Sequence, residues 1–308
     1  MHHDLSKPHV ILAWKSKDIV GESLVWDERT GSLIWIDILG KRIHQLHWDD
    51  QTHNVWPTPD FVTGLGLCND RGMVVSLMKE ICLWNCGSHW EPLAQVEPDR
   101  PDNRLNECGI APDGTFWVGT MRNNFDSAGQ PIETSEPAGT YYRVDPAGSV
   151  QRLTDDLYGI TNTMAWTDSG QFLTADTLAN QIYTYPIDPA NQTLGNRLPF
   201  GIPFERGLPD GSCLDAEGYL WNCRVGGGSC LVRYAPDGQV DRVVELPCSW
   251  PTSCTFGGDH LDRLFVTSAR FTMTPQHLAR HPQEGCLWMV DVGVAGRPCH
   301  RFGQSANF

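Results

Sequence analysis

Glu22, Asn106, Asn162 and Asp210 are the residues of this chain best suited to chemistry, because each stands at the same place ahead of a turn signal. The turn anchors are Gly31 in WDERTGSLIWID, Gly72 in CNDRGMVVSL, Gly114 in APDGTFWVG, Gly170 in WTDSGQFLTAD and Gly218 in LDAEGYLWNC. A sixth copy, FGGDHLDRLFVTS, puts Asp262 at the anchor. Eight or nine residues before the first five anchors lie Glu22, Gly64, Asn106, Asn162 and Asp210, and the Thr252/Ser253 pair holds this place in the sixth copy. In a radial repeat equal phases meet at the axis, so two carboxylates and two amides converge there. That is an oxygen cage for a hard divalent cation. Such donors suit Ca²⁺, Mg²⁺ and Mn²⁺, and carboxylates also serve Zn²⁺ and Fe²⁺.

The elements that must position these groups follow from the spacing. Successive anchors, at 31, 72, 114, 170, 218 and 262, are 41, 42, 56, 48 and 44 residues apart, the period of a four-stranded propeller blade. The D-x-x-G-x-apolar pattern alone is ordinary hairpin grammar, whereas its recurrence from end to end predicts an all-β, six-bladed β-propeller with residues 1–308 as one domain. The opening strand HVILAWK has no hairpin partner, and GCLWMVDV lacks an outermost neighbour. Pairing the segment near Val10 to Trp14 with one near Cys286 to Val290 closes the ring and removes both sheet edges. Twelve Trp, thirty Gly and twenty-one Pro fit many short strands, tight turns and an aromatic core. No helical period is sustained, and no apolar run reaches membrane-spanning length.

A net charge of −14 without any Lys/Arg cluster argues against nucleic acid, because phosphate binding needs a basic face. MHHDLSKPHV has none of the three parts of a secretory signal, so the expected location is the cytoplasm. Eleven cysteines scattered singly read as buried reduced thiols, and neither the Cys82/Cys86 nor the Cys223/Cys230 spacing matches a paired C-x-x-C zinc site. His44 and His47 lie on a strand edge out of phase with the axial residues. A solvated role is expected for both.

Arg104 and Asn106 in RLNE are two apart and therefore share a face of an extended strand. If Asn106 faces the channel, Arg104 does too, and its fixed donors suit a substrate rich in carbonyl and hydroxyl oxygens. The alternative is a structural pair with Glu107 or Asp102. Gly64 in TGLGL leaves either empty volume beside the cation or a flexible turn. The widest interval contains RNNFDSAGQPIETSEPAG, and this 122–139 loop either shapes access to the channel or is a surface insertion.

Five segments, GESLVWDERTGSLIWIDILGKRIHQL, NRLNECGIAPDGTFWVGTM, GITNTMAWTDSGQFLTADTLANQIYTY, GLPDGSCLDAEGYLWNCRVGGGSCLVRY and PTSCTFGGDHLDRLFVTSA, resemble in order those of the gluconolactonase/regucalcin family. The resemblance spans nearly the whole chain. It implies a divalent metal held by Glu22, Asn162 and Asp210, and a sugar lactone met by Arg104, Asn106 and, after the G-T-M stretch, Asn124. It departs from the family where Asn106-Glu107-Cys108 replaces Asn-Asp-Gly, and where Arg122-Asn123-Asn124 stands in place of an acidic residue found in some members.

The chemistry implied is hydrolysis of an aldonolactone to the aldonic acid, with the carbonyl polarised by the cation and Asp210 as the base that activates water. No Ser-His-Asp or Cys-His set occurs at a compatible phase. Two alternatives stand beside it: a metal-dependent esterase or organophosphate hydrolase on the same scaffold, and a non-enzymatic calcium-binding propeller.

Overall fold

The structure, a computed structural model, describes residues 8–70, 72–134, 136–190 and 192–303. The MHHDLSK start and the extreme ends of the 1–308 span lie outside the described residues, as does Ser135 in the long loop.

Six four-stranded antiparallel sheets form the blades of a β-propeller. Their innermost strands are Gly21–Asp27, Gly64–Leu67, Asn103–Ile110, Thr161–Trp166, Leu208–Leu214 and Pro251–Gly257. The second strands are buried along almost their whole length, and Ser32–Asp37 and Leu220–Val225 at every position. Their near-continuous apolar runs reflect burial on both faces between neighbouring blades. The outermost strands are half-buried or exposed at every position but Val244. Between blades the apolar faces interlock: Trp221 and Leu231 of the fifth pack with Val266 and Trp288 of the sixth.

Each expected hairpin is present, and the anchors explain why. Gly31, Gly72, Gly114, Gly170 and Gly218 have φ of 60°, 85°, 78°, 73° and 85°, the left-handed backbone that glycine adopts without a Cβ clash. In the sixth blade Leu261, beside Asp262, takes that conformation instead, with φ 52°. His9–Trp14 closes the ring against Leu287–Asp291, with Val10 opposite Val290 and Trp14 opposite Leu287. One short helix, Pro275–Arg280, is N-capped by Thr274 in a loop of the sixth blade.

The expectation of a solvated His44 is overturned. Its ring is 2% exposed, stacks on Trp35 at 4.7 Å, lies 3.1 Å from Asp18 Oδ1 through Nε2, and meets His53 Nε2 at 3.0 Å through Nδ1. Asp18 also accepts from Trp35 Nε1 at 2.8 Å and from Arg42 Nη2 at 3.2 Å. Strand periodicity could not show this, because Asp18 arrives from the loop between the closing strand and the first blade. His47 is half-buried, with Nδ1 3.0 Å from Ser32 Oγ.

His53 lies against Trp14 of the closing strand, with its ring centroid 4.9 Å away. Burial pushes its pKa from 6.5 down to about 4; the His44 and Arg42 charges add to this and Asp18 opposes it. The unfolded chain therefore takes up this proton first as pH falls, so the contribution to stability is whole above 6.5 and is lost between 6.5 and 4. The melting temperature should fall through that window, and less steeply in His53→Gln. Parallel pH profiles for the two proteins would refute this account.

Candidate functional site

Five of the six innermost strands shift register at equivalent places: between Glu22 and Val25, Leu105 and Cys108, Asn162 and Met164, Pro209 and Ser212, and Pro251 and Cys254. Such bulges bend a strand and re-aim its side chains. Glu22, Asn106, Asn162, Asp210 and the Thr252/Ser253 pair all sit at or inside them. The remaining strand, with Gly64, pairs without a shift.

The backbone there is unusual for its residue types. Ser23 and Thr163, directly after Glu22 and Asn162, have φ of 52° and 57°. A β-branched residue pays sterically for that conformation and needs surrounding bonds to hold it. Thr163 Oγ1 donates to the Asp210 carbonyl at 2.6 Å and lies 2.9 Å from Ser212 Oγ, while Ser23 Oγ accepts from the Leu65 N–H at 2.9 Å. These bonds tie the site across blade boundaries.

Three acceptors at the axis have few donors. The Glu22 carboxylate accepts the Ser23 N–H at 3.2 Å. Burial raises its pKa to about 8, partly offset by that bond and by Arg104. Asp210, 6% exposed, is raised well above the usual carboxylate range, first by burial and then by the charges of Glu22 and Glu107. Asn162 Nδ2 donates to Thr177 Oγ1 at 2.8 Å, so its Oδ1 is left without a donor among the described residues. Thr177 Oγ1 in turn donates to the Pro209 carbonyl at 2.8 Å, next to Asp210. Among the described residues no three His, Cys, Asp or Glu side chains group as metal ligands. The set is two carboxylates and one amide oxygen, under-supplied with protons and cations, and it fits a hard divalent cation.

Arg104 is 5% exposed and is surrounded by neutral acceptors. Nε and Nη2 donate to Asn124 Oδ1 at 3.3 and 3.0 Å; Nη1 donates to the Leu105 carbonyl at 2.9 Å and to Asn106 Oδ1 at 2.7 Å. The structural pairing with Glu107 or Asp102 is absent among the described residues, and Asp102 instead accepts from Arg122 Nη1 at 2.9 Å. Burial pushes the guanidinium pKa down to about 10, with Glu22 opposing. Asn106 Nδ2 donates to the Thr161 carbonyl at 2.7 Å, so this amide braces Arg104 against the fourth blade. Asn124 Nδ2 donates to nothing among the described residues. It is a free donor beside the guanidinium.

Gly64 leaves no empty volume: a Cβ there would lie 2.3 Å from Cys108 Sγ. The glycine makes room for the thiol of the next blade. The start of the long loop is well packed, with Phe125 3% exposed, its ring 4.9 Å from Phe61 and 5.0 Å from the Arg104 guanidinium carbon. Thr163 and Thr177 belong to this region although neither spacing nor motif singled them out, and Glu107, expected only as a partner of Arg104 and as a departure from the family motif, acts on Asp210 instead. Their places depend on bulges and on a hairpin turn whose partners come from other blades.

A family model of the SMP-30/Gluconolactonase/LRE-like region matches residues 20–270. The chain belongs to this family. The match takes in all six innermost strands and leaves out the two strands that close the ring and the helix Pro275–Arg280. The chain is 32% identical to a 6-deoxy-6-sulfogluconolactonase of Pseudomonas putida, covering 92% of this chain and 94% of that one, and 32% identical to the regucalcin of Oryctolagus cuniculus with the same coverage. Among solved structures, a calcium-binding protein, regucalcin, from Agrobacterium tumefaciens superposes with a TM-score of 0.85 at 28% identity, over 94% of this chain and 97% of that one.

Within this family scaffold, Thr177 is the residue that aims the Asn162 oxygen. Thr177→Val removes its hydroxyl and frees the amide to rotate. Divalent-cation affinity, read by calorimetric titration, should fall about 10- to 100-fold, as for other groups that orient a ligand. Unchanged affinity in a folded variant would show that Thr177 does not position Asn162.

Proposed function

We propose that this protein hydrolyses a sugar lactone to the corresponding aldonic acid with one divalent cation at the axis. The observation that carries the reading is the juxtaposition of acceptors lacking donors, on Glu22, Asn162 and Asp210, with unspent donors on Arg104 and Asn124. The relative named 6-deoxy-6-sulfogluconolactonase supports the lactone, and the calcium-binding regucalcin structure supports the cation. Glu22, Asn162 and Asp210 would hold the cation, which supplies Lewis-acid polarisation of the lactone carbonyl.

The chain's own groups provide the rest. Arg104, aligned by Asn106 and backed by Phe125, holds the ring and hydroxyl oxygens together with Asn124. Asp210, a carboxylate with a second oxygen to offer, takes a proton from the attacking water. The water oxygen bonds to the carbonyl carbon, the ring C–O bond breaks, and the proton held by Asp210 passes to the departing ring oxygen. The products are a carboxylic acid and a free hydroxyl. Eleven free cysteines support a reducing compartment such as the cytoplasm, and no helix among the described residues is long and apolar enough to cross a membrane.

A panel of aldonolactones assayed by acid release, with chelated protein reloaded with each metal, tests the reading. Absence of turnover for every lactone and metal would remove it. Within it, Asp210→Asn at saturating metal should lower the rate by about 10² to 10⁴, the worth of a positioned base, whereas excess metal should largely rescue Glu22→Gln. Equal rescue would reduce Asp210 to a ligand. Arg104→Ala should cost about 1–3 kcal/mol in kcat/KM with metal content intact. Metal loss with normal kinetics after reloading would instead make Arg104 a support of the fold.

A further inference from the structure

Beside the axial residues lies a cavity of about 180 Å³ lined in part by Cys108, Cys213, Cys254 and Cys299. Arg297, Pro298 and His300 also line it, and Pro298 and His300 are exposed. Two of these thiols are adjacent. Cys213 Sγ and Cys254 Sγ are 3.5 Å apart, on the innermost strands Leu208–Leu214 and Pro251–Gly257 of the fifth and sixth blades. Both residues are free cysteines.

The two backbones already lie close together. A Cβ on Gly211 would lie 2.9 Å from the Cα of Ser253, so the two strands are already crowded together just above the pair. Both strands carry a register shift that ends at or just before the cysteine, at Ser212 and at Cys254. The sulfurs need to close by roughly 1.5 Å to reach bonding distance, about 2.05 Å.

We propose that Cys213 and Cys254 are a peroxide-oxidised pair, forming a disulfide that staples the fifth blade to the sixth beneath Asp210. The Cys254 thiolate attacks one oxygen of hydrogen peroxide and expels hydroxide, leaving a sulfenic acid at Cys254. The Cys213 sulfur then attacks the Cys254 sulfur, the S–O bond breaks, and water leaves. In sum two thiols and one peroxide give one disulfide and two waters, with both electrons coming from the sulfurs. Supporting this order, thiols of Cys213 and Cys223 directed at Cys254 lower its pKa against the opposing effect of burial, whereas burial and the neighbouring sulfur raise that of Cys213.

The staple closes a loop of 41 residues (254 − 213). It is independent of the lactonase reading. The test uses full-length protein reduced, freed of reductant and treated with one equivalent of hydrogen peroxide per chain. The denatured product should lose two of its eleven thiols and two hydrogens in mass, and both should return with dithiothreitol. Peptides cut under non-reducing conditions should contain a Cys213–Cys254 link, a result that needs no variant. In Cys213→Ser, the same treatment should instead leave a dimedone-reactive sulfenic acid at Cys254. A link from Cys254 to Cys223, oxidation of other cysteines first, or retention of all eleven thiols would overturn the proposal.

Discussion

The arrangement of the site depends on the bulge that recurs in five of the six innermost strands. A regular strand alternates its side chains between two faces, and in a propeller both faces of the blade are claimed by neighbouring blades. A register shift breaks that alternation and lets a polar residue turn to the axis while apolar residues on either side stay in the blade interfaces. Glu22, Asn106, Asn162 and Asp210 all use it. The cost appears as left-handed backbone at Ser23 and Thr163. It is offset by hydroxyl bonds that reach into the next blade, so each strained position is held by a strand distant in sequence.

Electrostatics point the same way. Burying an ionised carboxylate costs several kcal/mol unless a partner accompanies it. Glu22 and Asp210 are brought together with Glu107 nearby, and burial dominates the upward pKa shift of all three. Elsewhere buried acids are fully paired: Asp215 accepts from Trp221 and from two nitrogens of Arg233, and Asp18 accepts from Trp35 and Arg42. The axial carboxylates are the exception, and Arg104 beside them is bound only to neutral oxygens. The fold thus satisfies its structural acids and leaves the axial carboxylates under-satisfied.

Much of this was legible in the chain. The anchor glycines at blade period, the orphan terminal strands and the shared phase of the axial residues specify blade number, ring closure and the convergence of Glu22, Asn162 and Asp210. They do so because a hairpin turn is a local event and a radial repeat converts equal sequence phase into equal radius. The positions of His44, Gly64 and Arg104 were less legible, since each is decided by a residue from another segment: Asp18, Cys108 and Asn124. Thr177 and Thr163 carried no signal at all. The bond that aims the Asn162 amide comes from 15 positions away in its own blade, while the bonds that anchor Thr177 and hold the strained Thr163 cross to the next blade, 32 and 47 positions away. The sequence alone therefore determined the period, the topology and the chemical types at the axis. Only the tertiary structure decided which donors were already spent, which thiols met and which acceptors were left open, because those follow from distances between strands that local pattern does not encode.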